Sequence, residues 1–261
     1  MTLTNAQVDW HHWLQRWDAQ QSGYLPHREE RFQAMFDVLE QVLPPTFVAI
    51  DLACGPGAIS QRLLTRFPQA RCIAVDLDPV LLAIGRGALG DMAGRLRWVE
   101  VDLMQENWVQ HLGEQHLGEQ PVDAVLTTTA LHWLSSDRLV GLYQQLGAIV
   151  RPGGVFLNSD VLPFPSYLPT FTTLSKTMQS RQEQQAFENQ GGENWEQWWQ
   201  AVADEPAFAS LLEVRKHRFG TRSTEFEPIL DVHEAGLRQA GFQEVGVIWQ
   251  RFDDRILLAV R

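Results

Sequence analysis

A chain of 261 residues makes one large domain, or one domain with a sizeable insertion. With 44% apolar and 20% charged residues it has the composition of a folded protein, which excludes disorder as the main state. Lysine and arginine total 21 against 32 acids, and the net charge of −11 argues against coating of bulk nucleic acid, although not against a local basic cleft.

In chain order, Trp10, Trp13, Leu14 and Trp17 share one face of a helix expected over residues 3–18. A second helix is expected over 28–43, carrying Phe32, Met35, Phe36, Leu39 and Leu43, and Pro44-Pro45 ends it. Residues 1–45 thus form a helical preface. Strands follow at 47–52, 71–76, 96–101, 122–127 and from 153, with helices over 58–67, 79–89 and 136–150 between them. This alternation predicts an α/β fold with a parallel sheet covered on both faces. The tandem His-Leu-Gly-Glu-Gln at 111–120 reads as an expanded surface loop. From 161 to 227 the alternation stops: Trp195, Trp198 and Trp199 cluster, and Asp204 with Pro206 reads as a helix start. A helix over 228–240, capped by Gly241, then leads into two strands, 243–249 and 255–260, around a turn at Asp253-Asp254. Ligands of parallel sheets sit at the carboxyl ends of strands, so an insertion after the fifth strand is placed to roof a site.

Two cysteines, Cys54 and Cys72, are too few for a disulfide framework. There is no apolar run of ~18 residues. Residues 1–9 lack the basic start and apolar core of a signal peptide. A cytoplasmic protein without a membrane partner is expected.

Asp51-Leu-Ala-Cys-Gly-Pro-Gly57 lies between a strand and a helix, where glycines permit a tight turn and close approach of backbone to a ligand. Asp76 closes the next strand, and a carboxylate there can accept both hydroxyl hydrogens of a ribose. A nicotinamide fingerprint needs a third glycine where Ser60 stands, and a pyrophosphate beside Asp51 would meet like charge. S-adenosylmethionine carries no phosphate and bears cationic ammonium and sulfonium groups, so Asp51 suits it.

These segments resemble those of class I S-adenosylmethionine-dependent methyltransferases. Val48–Gly57 resembles the first family motif, Ala74–Pro79 the second and Val101-Asp-Leu103 the third. Ala130-Leu-His-Trp-Leu134, Arg151-Pro-Gly-Gly154 and Ala240-Gly-Phe242 resemble later segments. The match covers roughly 45–160 and 228–261. It implies a Rossmann-like, seven-stranded, mostly parallel sheet with a C-terminal antiparallel hairpin. It also implies a donor site made by Asp51, Ala53, Gly55, Gly57, Asp76 and Leu77. Asp102 would hydrogen-bond the adenine amino group, with Leu103 and Thr127 nearby. Ala53 departs from the glycine many members carry. Tyr24, Arg28 and Arg31 lie where related enzymes lay a segment over the donor, and an arginine there would suit the methionine carboxylate; a solvated helix start is the rival reading.

Methyl transfer from a sulfonium relies mainly on proximity and alignment, and a base is needed only for a nucleophile still protonated at neutral pH. His132, after the fourth strand, is the candidate base; a structural histidine packed with Trp133 is the rival reading. Trp133, Trp13 and Trp199 are candidates for an aromatic acceptor pocket, with ordinary packing of small helical caps as the rival reading of the preface and insertion tryptophans. The motif of amino methylation in DNA, a cysteine nucleophile for pyrimidine carbon 5 and the clustered acids of a metal-dependent enzyme are all missing after the fourth strand. No metal is expected. Arg215-Lys-His-Arg218 with Arg222 is the basic island, suited to an acidic substrate, an RNA phosphate or a plain helix end.

The expected organisation is a cap over 1–45, a donor-binding domain over 46–160 and 228–261, and a substrate cap over 161–227. The expected function is methyl transfer to a small-molecule acceptor by a monomer or homodimer. The Ala130–Leu134 segment resembles the trans-aconitate-type branch, which esterifies small carboxylic acids. The ending from His233 to Ala259 resembles the tRNA wobble-uridine branch, so the alternative is tRNA wobble-uridine modification with S-adenosylmethionine or a carboxylated derivative. A nicotinamide oxidoreductase and a non-catalytic donor-binding module are the remaining readings.

Overall fold

The computed structural model describes residues 8–105, 108–112, 122–220 and 227–261. Its strands are β1 (Val48–Leu52), β2 (Arg71–Asp76), β3 (Leu96–Glu100), β4 (Val122–Thr128), β5 (Val150–Val161), β6 (Glu244–Arg251) and β7 (Asp254–Val260). They form one sheet in the order β3-β2-β1-β4-β5-β7-β6. The first five pair in parallel, and β7 runs antiparallel to both β5 and β6. The Rossmann-like sheet and its C-terminal hairpin are therefore as expected.

Both faces of the sheet are apolar because alternate side chains point to opposite sides. On one face Ala49, Ala74, Ala124, Leu126 and Leu157 meet Phe32, Met35 and Leu39 of α2 (Arg28–Val42) and Leu63 of α3 (Ala58–Arg66). On the other, Ile50, Val75, Val125, Phe156 and Leu257 meet Leu139, Leu142 and Leu146 of α6 (Ser136–Ile149) and Leu237 of α10 (Leu230–Gln239). Since the first five strands run in parallel, their carboxyl ends share one edge, and the loops that follow them converge there.

The first helix is α1 (Trp10–Tyr24), shifted from the expected 3–18. The Asp9 carboxylate accepts the N–H of His12 and sets the start, and residues 1–7 lie outside the described residues. A short helix, α5 (Trp108–Leu112), precedes β4 and was not expected; the remainder of the tandem repeat, residues 113–120, lies outside the described residues. The fifth strand, expected from 153, starts earlier, at Val150, and runs to Val161.

In the insertion, α7 (Pro169–Glu183) is followed by a π-helical turn, then α8 (Trp195–Asp204) and α9 (Ala209–Phe219). A capping box between Asn194 and Gln197 starts α8. The helix expected to start at Asp204 and Pro206 is instead a single 3-10 turn, Pro206–Phe208, leading into α9. The tryptophans converge here. Trp13 and Trp17 of α1 meet Trp198 with ring centroids 5.9 and 5.0 Å away, and this cluster packs on Val80, Leu81 and Ile84 of α4 (Pro79–Leu89). Preface and insertion are joined over the helix that follows β2. Among the described residues no helix is long and apolar enough to cross a membrane.

Candidate functional site

The β1–α3 loop turns sharply. Ala53, Gly55 and Gly57 have φ of +54°, +55° and +89°, all in the left-handed region. A Cβ on Gly57 would come within 2.6 Å of the Trp98 ring, so glycine is required there by packing as well as by φ. A Cβ on Gly55 would meet only Leu81 at 3.8 Å and Trp17 at 3.9 Å. Asp51, at the end of β1, is 1% exposed, and its Oδ2 accepts both the backbone N–H (2.9 Å) and the hydroxyl (2.7 Å) of Ser60. Asp51 thus caps α3. Burial pushes its pKa up to about 7, against the pull of the two Ser60 hydrogen bonds.

Asp76, at the end of β2, is held by three backbone donors. Its Oδ2 accepts from Gly55 N at 2.7 Å, and its Oδ1 from Leu77 N and Asp78 N at 2.7 and 2.8 Å. Burial raises its pKa to about 6 despite these bonds. Asp102, after β3, accepts from Met104 N at 3.0 Å. It lines a cleft of about 420 Å³ with Leu77, Glu100, Val101, Gln105, His217 and Arg218. Two desolvated acids beside an open glycine turn suit a cationic, ribose-bearing ligand, which would draw both pKa values down. A pyrophosphate would face the buried Asp51, and Ser60, standing where a dinucleotide loop wants glycine, is hydrogen-bonded to that acid.

A second group of polar residues sits at the ends of β4 and β5. His132 Nδ1 lies 2.7 Å from Oδ1 of the fully buried Asp160. Asp160 also accepts from Leu131 N at 3.0 Å and His132 N at 3.2 Å through Oδ2, and from Val161 N at 2.9 Å through Oδ1. Burial alone would lower the pKa of His132, but the Asp160 charge and hydrogen bond outweigh it and the net direction is up. Asp160 is held low by the same pairing, against its own burial. Close by, Tyr143 Oη and His233 Nδ1 are 2.6 Å apart in the core, and burial lowers the His233 pKa to about 4. The sequence pattern did not single out Asp160. The two-residue period from Phe156 through Asn158 to Asp160, all on one sheet face, was the available signal.

Other expected site residues are placed as follows. Thr127 is buried at the end of β4 beside Asn158, its partner in register on β5. Leu103 is half-buried against the second core. The Tyr24 hydroxyl accepts the N–H of Trp195, tying α1 to α8. Arg28 Nη1 lies 2.9 Å from Asp18 and its guanidinium stands over the Phe32 ring, while Arg31 Nε donates to Ser159 Oγ at 2.6 Å. Trp13, 6% exposed, is part of the aromatic core instead of an open pocket wall, because α8 covers it. Trp199 is half-buried with the Arg215 guanidinium 3.7 Å from its ring centroid. Trp133 is 50% exposed, beside the His132 ring. The basic island is largely committed within the chain: Arg215 Nε lies 2.6 Å from Asp78 Oδ2, and Arg218 Nη2 lies 2.6 Å from Glu100 Oε1. Arg222 lies outside the described residues.

Residues 49–154 match the family described as a methyltransferase domain. With the seven-stranded sheet and the loop geometry above, the chain carries a class I S-adenosylmethionine-dependent methyltransferase domain, and S-adenosylmethionine is the donor of that class. The chain is 34% identical over 140 residues to trans-aconitate 2-methyltransferase of Azoarcus sp. (strain BH72), covering 53% of this chain and 48% of that one. It is 30% identical over 135 residues to the Escherichia coli K12 enzyme of the same name, covering 51% and 47%. It thus spans about half the length of the curated relatives it matches. An O-methyltransferase family protein from Burkholderia thailandensis shares the fold at a TM-score of 0.54 and 18% identity, covering 99% of this chain and 74% of that one.

Proposed function

We propose that the chain transfers a methyl group from S-adenosylmethionine to a small-molecule acceptor by in-line displacement, with a carboxylic acid as the first acceptor class to test. The observation that carries the donor half is the fixed Asp76 carboxylate, oriented by Gly55, Leu77 and Asp78 at the end of β2. When bound, S-adenosylmethionine supplies an electrophilic methyl group on a sulfonium centre. Three of the roughly four acceptor sites of the Asp76 carboxylate are taken by the backbone donors of Gly55, Leu77 and Asp78, which leaves a lone pair on Oδ2 for a ribose hydroxyl. Asp51 places negative charge beneath the glycine turn for the cationic end, and Asp102 stands at the adenine end.

The acceptor half rests on His132 and Asp160. With Nδ1 committed to Asp160, proton exchange with an acceptor passes through Nε2. Neutral, that nitrogen takes a proton from an acceptor hydroxyl; protonated, it holds an acceptor carboxylate. The names of the trans-aconitate relatives favour the second use. The organisation that goes with this function is a cap over 1–45, a donor domain over 46–160 and 228–261, and an insertion over 161–227 that covers both halves. In the tRNA reading the basic island is available to an RNA phosphate, and the pairing of Arg215 and Arg218 with Asp78 and Glu100 weakens that part of its support.

Calorimetry with S-adenosylmethionine, S-adenosylhomocysteine and NAD tests the donor half: heat is expected with both adenosyl ligands and none with NAD. Absence of heat with either adenosyl ligand overturns the reading. The acceptor half is tested by methyl transfer to a panel of small di- and tricarboxylic acids, with His132→Ala cutting turnover at least about tenfold at similar donor affinity.

A further inference from the structure

The cleft beside Asp102 has three walls, and one of them comes from the insertion. Leu77 lies at the end of β2, Glu100 through Gln105 at the end of β3, and His217 with Arg218 on α9. Nothing in the local sequence around the donor motifs announces this third wall, which enters from about 140 residues further along the chain.

The wall is anchored at several points. Arg215 Nε donates to Asp78 Oδ2 at 2.6 Å. Asp78 is itself 4% exposed, and its other oxygen caps α4 by accepting the N–H groups of Val80 and Leu81. An ion pair on a buried, hydrogen-bonded carboxylate is worth more than one between solvated side chains. Arg218 bridges the two strand ends: Nη1 donates to the Leu77 carbonyl at 2.7 Å and Nη2 to Glu100 Oε1 at 2.6 Å. The Arg215 guanidinium also stands over Trp199, which joins α9 to the α1–α8 aromatic core.

We propose that α9 is the outer wall of the adenosine pocket, with His217 and Arg218 packing on the purine and the Arg215–Asp78 pair fixing the helix. This rests on the donor reading above. The chemistry suits a flat, uncharged heteroaromatic base: an imidazole and a guanidinium are planar, stack on π-faces and donate to ring nitrogens. The donor's ribose would lie on Asp76 and its base between Asp102 and α9. Donor exchange then requires α9 to move away from Leu77 and Glu100.

The test is calorimetry on the full chain with two probes: S-adenosylhomocysteine, and 5′-methylthioadenosine, which lacks the amino acid end. His217→Ala and Arg218→Met are each expected to weaken both probes by the same factor, about fivefold to twentyfold, the scale of one lost buried contact. Asp51→Asn is expected to weaken the first probe more than the second. Unchanged affinities in both α9 variants, or a loss confined to S-adenosylhomocysteine, overturn the assignment to adenosine. If the wild-type chain binds neither probe, the donor reading itself fails, which is a different result. Hydrogen exchange on the wild-type chain needs no variant to fold: S-adenosylhomocysteine is expected to slow exchange of the α9 amides, and no change there overturns the proposal.

Discussion

His132 and Asp160 stand 2.7 Å apart across the carboxyl ends of two neighbouring parallel strands, with the carboxylate fully buried and the imidazole partly open to solvent. The charge of one sets the protonation of the other. With its pKa raised, His132 keeps its proton to a higher pH than a free imidazole.

This yields a split between kinetic constants. If protonated His132 holds an acceptor carboxylate, KM for that acceptor rises as pH climbs through the raised His132 pKa, while kcat changes little. If neutral His132 is a base, kcat rises over the same limb. Asp160→Asn is expected to move the limb to lower pH in either case, since the neighbouring negative charge is gone. Steady-state profiles of wild type and variant measure both.

Asp51 gives a second pH prediction. Its folded pKa is raised from 3.8 to about 7 by burial, so the folded chain binds a proton that the unfolded chain has released. Relative to Asp51→Asn, stability of the donor-free protein is expected to fall as pH rises from about 4 to about 7 and then level off. Donor binding should favour the ionised form. Affinity for S-adenosylhomocysteine is therefore expected to tighten roughly tenfold from pH 6 to 7.5, with proton release, and this dependence should vanish in Asp51→Asn. Thermal melts and calorimetry in buffers of different ionisation enthalpy read out the two effects.

Ala53 occupies a left-handed turn position at φ +54°. An L side chain pays a steric cost of about 1 kcal/mol there, larger than the unfolded-state entropy that glycine adds. Ala53→Gly is expected to stabilise the chain by about 0.5 kcal/mol, a rise in Tm of about 1–2 °C. No rise would mean that the loop relaxes around alanine without strain.

Trp198 is fully buried between Trp13 and Trp17 of the preface. Trp198→Ala is expected to cost about 3–5 kcal/mol, as for other large aromatic truncations in a core. Because this core joins α1, α4 and α8, limited proteolysis should cut the insertion before the sheet domain. Equal protection of both segments would contradict that role.

Much of the framework was legible along the chain. Phe47–Leu52 followed by Gly55 and Gly57, and Asp76 followed by Pro79, are local signals: a strand, a turn that needs left-handed residues and a helix start lie within a few positions of one another. The left-handed φ of Ala53 also explains why glycine is common there in the resembling family. Where local signals were weak, boundaries moved: Asp9 set the start of α1, and the fifth strand began at Val150 and not at 153.

The alternation of strand and helix, the glycine turn and the acids at the strand ends are all written in short stretches of the chain. Periods of 2 and 3.6 residues specify which face a side chain takes, but not which distant side chain it will meet. That His132 meets Asp160, 28 positions away, that Arg215 meets Asp78, 137 positions away, and that Trp17 packs against Trp198 is visible in the folded chain alone. Those pairings depend on how parallel strands bring their carboxyl ends to one edge and on where the insertion folds back across it. The basic island and the tryptophans could be counted in the sequence, but their roles as a clasp and a core came from the fold.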